Sequence, residues 1–318
     1  MIRVGLIGCG KISVAHLDAF DHIDKERAQI VAACDLSEHN LKAVTDHTGA
    51  AGYADYKKMV EEVPLDLVII TLPHGLHSEA TCFCAEHKLD VFLEKPMGIS
   101  SDDCQKMIDC CKKNGVMFWV GHLQRYLPQN MLAKHIMETE DLGELVSFTE
   151  IRAVNYFSED RPRWFTTRKM SGGGMMINLG AHALDKLKFF TGGADIKDIH
   201  GKVHMHEGSD CEDSAQCFVE MSNGVTATLN MIGHIPAHFN RWILYFTKGE
   251  IRIDSSESVS YCGEDGVFKT VTPEHIPGMR TQIAELIDVM EGDKKPVVDG
   301  EYGLDIIHAI KRLYGEEK

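Results

Sequence analysis

Residues 1–13, Met1-Ile2-Arg3-Val4-Gly5-Leu6-Ile7-Gly8-Cys9-Gly10-Lys11-Ile12-Ser13, decide the fold. Ile2–Ile7 is a short apolar run that ends in glycine, and a helical pattern over Lys11–Asp21 follows it. A strand that runs through a Gly-x-Gly turn into a helix is built to hold a dinucleotide. Gly8 serves the tight turn. Gly10 lets backbone approach a pyrophosphate, and Lys11 and Ile12 open the helix whose N-terminus faces the negative charge. Ser13 replaces a third glycine and is small enough for close helix–strand packing. Asp35 ends the second strand, 25 residues past Gly10, where a carboxylate accepts hydrogen bonds from a ribose. It repels a 2′-phosphate, and Leu36 follows it instead of an arginine, so the spacing predicts NAD rather than NADP.

Working outward, the strand–helix alternation continues. Gln29–Cys34, Leu67–Thr71, Val91–Leu93 and Val116–Val120 read as strands. The helices are 37–47 with Ser37 as cap, Ser78–Glu86 and Ser101–Lys113. Near-continuous apolar strands between helices predict a parallel sheet covered on both faces. Beyond His122 the texture changes. A helix at Pro128–Glu138 precedes longer segments of two-residue alternation: 145–154, 196–206, 215–221, 225–231, 242–246 and 267–271. Asn223-Gly224 marks a hairpin. One helix, Met175–Phe190, interrupts the strands, and helical patterns at Met279–Glu291 and Leu304–Tyr314 close the chain. The expectation is an α/β protein. Residues 1–122 form a Rossmann dinucleotide-binding domain, and 123–318 form an α+β domain with a large open-faced, mostly antiparallel sheet. The C-terminal helix is free to pack back on the first domain.

The 318 residues suit two domains of roughly 100 to 200 residues each. A formal net charge of −15 disfavours nucleic acid and anionic membranes as partners. The ten cysteines include no Cys-x-x-Cys pair, so they read as reduced core thiols of a cytoplasmic protein. The N-terminal run is too glycine-rich for a secretion signal, and no stretch reaches the roughly 18 apolar residues of a membrane helix. His200, His204, His206, His234 and His238 lack a fixed carboxylate or cysteine spacing, so no metal site is expected.

Glu94-Lys95-Pro96 follows a buried strand at the carboxyl edge of the sheet, where open α/β sheets bind ligands. A lysine there can polarise or protonate a substrate oxygen, and Pro96 restricts its direction. Here the chain resembles the glucose-fructose oxidoreductase / inositol dehydrogenase / MocA family. The likeness rests on Gly8–Ser13, Thr71-Leu72-Pro73-His74-Gly75-Leu76-His77, Glu94-Lys95-Pro96 and Gly121-His122-Leu123-Gln124-Arg125-Tyr126. It continues in Gly172-Gly173-Gly174 with Asn178, Gly180, His182 and Asp185, then in Glu212-Asp213-Ser214-Ala215 and a closing helix around Asp305–Arg312. The resemblance implies nicotinamide-dependent oxidation or reduction of sugars, inositols or related polyols and keto-sugars. It also implies a homodimer or homotetramer built through the open sheet face. It places Thr71, Leu72, Pro73, His74 and His77 over the cofactor, Glu94 and Lys95 beside the nicotinamide, and Trp164 near it.

Asn178 and His182 stand four apart, on one face of an α-helix. His182 can take the hydroxyl proton as hydride leaves. Many relatives carry Asp where this chain has Asn178, and an amide orients a substrate but takes no proton. The proton-transfer burden therefore falls on Lys95 and His182, with Asn178 orienting. Gln124, Arg125 and Asn155 are candidate substrate contacts. Two rivals share the same frame: NAD-dependent glycosidase chemistry with transient oxidation, and a non-catalytic cofactor-binding regulator.

Overall fold

The computed structural model describes residues 1–159, 161–254, 258–292 and 295–317. The chain divides into two compact units, residues 1–122 with 278–304, and residues 123–277 with 305–318.

In the first unit, strands β1 (Ile2–Ile7), β2 (Ala28–Cys34), β3 (Ala51–Tyr53), β4 (Leu67–Ile70), β5 (Asp90–Glu94) and β6 (Phe118–Gly121) alternate with helices. These are α1 (Ser13–Phe20), α2 (Glu38–Thr48), α3 (Tyr56–Glu62), α4 (His77–Glu86) and α5 (Ser101–Asn114). All strand pairs are parallel, in the order β3-β2-β1-β4-β5-β6. The order reverses between β1 and β4, which opens a crevice at their carboxyl ends. β4 is buried throughout because helices cover both faces of the sheet. The α2 and α5 signals behave as their residues dictate. Ser37 and Ser100 accept from the backbone N–H of Asn40 and Asp103, and Gly49 and Gly115 end the helices in the left-handed conformation.

The sequence reading missed β3 and α3. β3 is three residues long, contains glycine and lies exposed at the sheet edge, so it carries no alternation to detect. The reading also left 278–304 with the second domain. That stretch belongs to the first unit, where helix α9 (Gly278–Glu291) packs on α1. Arg280 forks onto Asp18 at 2.7 and 2.8 Å, and Arg27 reaches Asp288 and Glu291. Long-range ion pairs of this kind leave no periodic trace in a sequence.

The second unit contains α6 (Pro128–Thr139), α7 (Arg168–Ser171) and α8 (Ala181–Phe190), and it ends in most of α10 (Gly300–Leu313). Its eight strands are β7 (Leu145–Asn155), β8 (Ile196–Met205), β9 (Glu212–Met221), β10 (Thr226–Ile232), β11 (His234–Phe246), β12 (Glu250–Asp254), β13 (Ser258–Cys262) and β14 (Lys269–Val271). Their order is β14-β13-β12-β11-β7-β10-β9-β8. Six of the pairs are antiparallel, and β10 runs parallel to β7, so the sheet is mixed. The hairpin at Asn223-Gly224 joins β9 to β10, with Gly224 at φ 87°. β12 and β13 were missed, although Ile251 and Ile253 alternate with exposed residues as a half-buried strand should. Among the described residues no helix is long and apolar enough to cross a membrane, and the ten cysteines are free thiols.

A charged pair lies inside this unit. Lys186 of α8 and Glu150 of β7 are fully buried, with Nζ 2.6 Å from Oε1 and 3.9 Å from the centre of the Trp242 ring. The approach is close but poorly aligned as a hydrogen bond, so the attraction is chiefly coulombic. Burial pushes the Lys186 ammonium down to about 8, and Glu150 opposes that shift. Lys186→Met is expected to destabilise the protein by about 3–5 kcal/mol, because it leaves a buried carboxylate uncompensated. Adding Glu150→Leu should recover most of the loss. Urea melts of the single and double variants check this. Equal midpoints for wild type and Lys186→Met would contradict it.

Candidate active site

In the first unit, the loops after β1, β2, β4 and β5 stand at the carboxyl edge of the sheet. Gly8 has φ 99°, and a Cβ there would lie 2.7 Å from the Thr71 hydroxyl oxygen, so only glycine fits. Thr71 Oγ1 donates to the Gly8 carbonyl at 2.7 Å, tying the loop after β4 to the loop after β1. Gly10 borders open space, the room a pyrophosphate needs. Ser13 is buried, and its hydroxyl donates to the Gly10 carbonyl at 2.6 Å, so the third fingerprint position does more than stay small. Lys11 and Ile12 are exposed on the same loop.

Asp35 is held from both sides. The Cys9 N–H donates to one carboxylate oxygen and the Ser37 N–H to the other, each at 2.7 Å. Ionised carboxylate oxygens have further acceptor sites, so Asp35 is oriented and still able to accept hydroxyl hydrogen bonds. Burial pushes the Cys9 thiol up to about 12, with Asp35 adding to the rise, so Cys9 stays a neutral thiol. The residues fit a dinucleotide: a glycine turn, an open approach and a fixed ribose acceptor. Nothing in the cluster offers a 2′-phosphate a fork of its own.

The loop at Glu94–Met97 is anchored from below. Glu94 is 7% exposed, and its Oε1 lies 2.9 Å from His16 Nε2 on α1, while its Oε2 accepts from the Lys95 N–H. His77 is fully buried. Its Nε2 lies 2.8 Å from the Leu72 carbonyl, and its Nδ1 lies 3.1 Å from that of Pro96. Burial pushes the His77 imidazolium down while the carbonyls at its two nitrogens oppose that shift; the neutral ring donates to one of the two loops, and the protonated ring to both. His77 therefore stands buried between these two loops, whereas the sequence reading put it on the cofactor. Leu72 and Pro73 are half-buried, His74 is buried beside the His77 ring, and Lys95 is half-buried ahead of a cis Lys95–Pro96 bond.

The second unit builds its own cluster around α8. The single helix expected over 175–190 is a π-turn at Met176–Gly180 followed by α8. Glu212, fully buried, caps the start of this turn. Its two carboxylate oxygens accept from the N–H groups of Gly174 (2.8 Å) and Met176 (2.9 Å), and the Tyr314 hydroxyl also donates to it. A Cβ on Gly174 would meet the Glu212 carbonyl at 1.9 Å, which explains the third glycine of Gly172–Gly174. With a wide turn between them, the four-residue spacing of Asn178 and His182 no longer guarantees a shared face. Asn178 Nδ2 donates to the buried Tyr156 hydroxyl at 3.2 Å. His182, half-buried, presents Nδ1 to the amide of Gln124 at 3.2 Å.

The sequence reading assigned Gln124 to the substrate. The structure leaves it 7% exposed and turns its amide to His182. Its backbone is clamped as well, its N–H donating to Asp185 and its carbonyl accepting from Asn130. Arg125 sits over the Phe189 ring, 5.6 Å from its centre. Asn155 is exposed at the end of β7, paired with His234. Trp164 lies in this second unit, stacked on Phe165 at 3.7 Å. His206 and His234 both approach Asp213, at 3.3 and 3.7 Å. Tyr156, Asn130, Glu212 and Asp213 were not singled out as site residues. Only Glu212 and Asp213 had a signal, as an acidic pair at the head of a strand.

Fold and site together define a nicotinamide-dinucleotide type of Rossmann protein with a mixed-sheet second domain. The model for the oxidoreductase family with an NAD-binding Rossmann fold matches residues 2–122, and the GFO/IDH/MocA C-terminal domain matches residues 131–252. The chain belongs to the Gfo/Idh/MocA family of oxidoreductases. It is 25% identical to D-glucoside 3-dehydrogenase of Escherichia coli over 98% of this chain and 94% of that one. It is 29% identical to 2,7-anhydro-N-acetylneuraminate hydratase of Mediterraneibacter gnavus over 76% of this chain, and the match spans 65% of that relative's length. The crystal structure of the WlbA dehydrogenase from Bordetella pertussis with NADH and UDP-GlcNAcA superposes with a TM-score of 0.84. It shares 22% identity and covers 99% of this chain and 95% of its own.

Proposed function

We propose that the protein is an NAD-dependent dehydrogenase or reductase of a sugar, inositol or related polyol or keto-sugar. One observation carries the cofactor choice: the Asp35 carboxylate, fixed by the Cys9 and Ser37 N–H groups beside the Gly8–Ser13 turn. The nicotinamide, when bound, supplies the hydride acceptor or donor. The chain's own residues handle the proton. Lys95, at the end of β5, donates to or polarises the reacting oxygen. His182 takes or returns the hydroxyl proton, and Asn178 orients the substrate. Sugar-acting relatives such as the E. coli glucoside dehydrogenase support this substrate class.

Thermal unfolding with NAD(H) and NADP(H) tests the cofactor. NAD(H) is expected to give the larger stabilisation, and Asp35→Ala to remove most of that preference. A larger shift with NADP(H) would overturn the Asp35 argument. The chemistry is tested by NADH absorbance over a panel of polyols, aldoses and keto-sugars.

A second reading has one observation behind it. The M. gnavus relative is named a hydratase, so a redox-neutral reaction in which oxidation is transient fits the same frame. Product formation with no net change in NADH absorbance would establish that reading over the first.

We further propose a cytoplasmic homodimer or homotetramer formed through the outer face of the second unit's sheet. That face carries Phe218, 45% exposed, among the linked pairs Thr149–Thr228 and Gln216–Asn230. Phe218→Glu is expected to shift the light-scattering mass to a smaller species. A wild type that is already monomeric would contradict it.

A further inference from the structure

Several arginines of the second unit are matched. Arg168 meets Glu316, Arg241 meets Asp254 and Arg252 meets Glu250, while Arg312 donates to the Ile196 and Lys197 carbonyls. The acids nearest the Asn178–His182 segment are also taken. Glu212 holds two backbone N–H groups and the Tyr314 hydroxyl, Asp213 faces His206 and His234, and Asp185 holds the Gln124 N–H.

Arg161, whose guanidinium reaches the Tyr156 ring beside Asn178, has no such partner among the described residues. Among the described residues, none accepts a hydrogen bond from its guanidinium and no carboxylate stands within ion-pair distance, and its buried Nε is unsatisfied. The guanidinium lies over two rings, 4.0 Å from the centre of Tyr156 and 5.0 Å from that of Phe165. Burial disfavours its charge. Stacking fixes the plane of the fork and leaves its edge to a ligand. Tyr156 connects this position to the candidate chemistry, because its hydroxyl accepts from Asn178. A half-buried, pre-oriented guanidinium without an acid of its own is costly unless something anionic binds it, and its planar donors match a carboxylate in a bidentate pair.

We propose that Arg161 receives a carboxylate carried by the substrate, so that the protein acts on sugar acids or related hydroxy acids in preference to neutral sugars. This rests on the reading that the second unit binds the substrate, and it narrows that reading to an acidic class.

The test uses the NAD-loaded protein and thermal unfolding with matched probes: glucuronate against glucose, galacturonate against galactose, and L-tartrate against erythritol. At least one acid is expected to bind about tenfold or more tighter than its neutral partner. Arg161→Gln should erase that difference, and Arg161→Lys should keep part of it. Inorganic sulfate should not reproduce the effect, and Asp160→Asn should leave it in place. The proposal is overturned if neutral probes bind as well as acids, if Arg161→Gln keeps the preference, if sulfate matches the sugar acids, or if the preference emerges only in Asp160→Asn. Turnover is read separately by NADH absorbance. Arg161-dependent acid binding without NADH formation would sink the dehydrogenase reading and leave the anion site standing.

Discussion

Lys95→Ala is expected to lower kcat by roughly 10²–10⁴-fold while NAD(H) affinity stays within about tenfold. The split follows from what the residue touches. In the proposed reading the dinucleotide is held at Gly8, Gly10 and Asp35, whose hydrogen bonds do not involve the Lys95 side chain. The loop itself is fixed by Glu94 and His77 through backbone groups, so removing the ammonium should leave its shape intact. Lys95→Arg separates charge from proton transfer, because a guanidinium keeps its charge but does not release a proton at working pH. It is expected to be nearly as slow as Lys95→Ala. Steady-state NADH formation and NADH titration supply the two numbers. Full activity in Lys95→Ala would remove the lysine from the reaction.

The second large effect is expected at His182. His182→Ala should cost about 10²–10³-fold in kcat, and Gln124→Met about tenfold, with KM changed less than kcat in both. The Gln124 amide bonds the ring at Nδ1, and Asp185 and Asn130 clamp its backbone from either side. An amide is both donor and acceptor, so a half-turn lets it serve the ring in either neutral tautomer. With its carbonyl on Nδ1–H, Nε2 is left as the base; with its N–H on Nδ1, Nε2 carries the proton to be given back. Methionine fills the space and does neither. Gln124→Glu keeps an acceptor and adds negative charge, which favours the protonated ring, so the acid limb of the kcat/KM profile should move to higher pH. An unmoved limb in Gln124→Glu, or wild-type kcat in Gln124→Met, would show that the contact is packing alone.

The glycine turn of the first unit was legible because it is local. A strand, a glycine turn, a helix and an acid at the next strand end are fixed by neighbours in sequence and by the right-handed parallel crossover. The strand, turn and helix around Gly8 and Gly10, and the strand end at Asp35, could therefore be read from the sequence. The cluster of the second unit was less legible because its partners come from distant segments. Glu212, 38 residues beyond Gly174, caps the start of the π-turn through the N–H groups of Gly174 and Met176. Gln124 was read as a substrate residue because nothing adjacent in sequence reveals a histidine 58 residues away.

The chain by itself determined the parallel sheet, the cofactor turn, the hairpin at Asn223-Gly224 and the candidate chemical groups. Periodicity, glycine and caps act within a few residues. Only the tertiary structure decided that β10 runs parallel to β7 and that α9 joins the first unit. It alone buried Lys186 against Glu150, set His77 between the Thr71 and Lys95 loops and left Arg161 without an acid among the described residues. Those outcomes depend on which desolvated charges meet across long chain separations. That is a matter of three-dimensional packing, with no sequence period to report it.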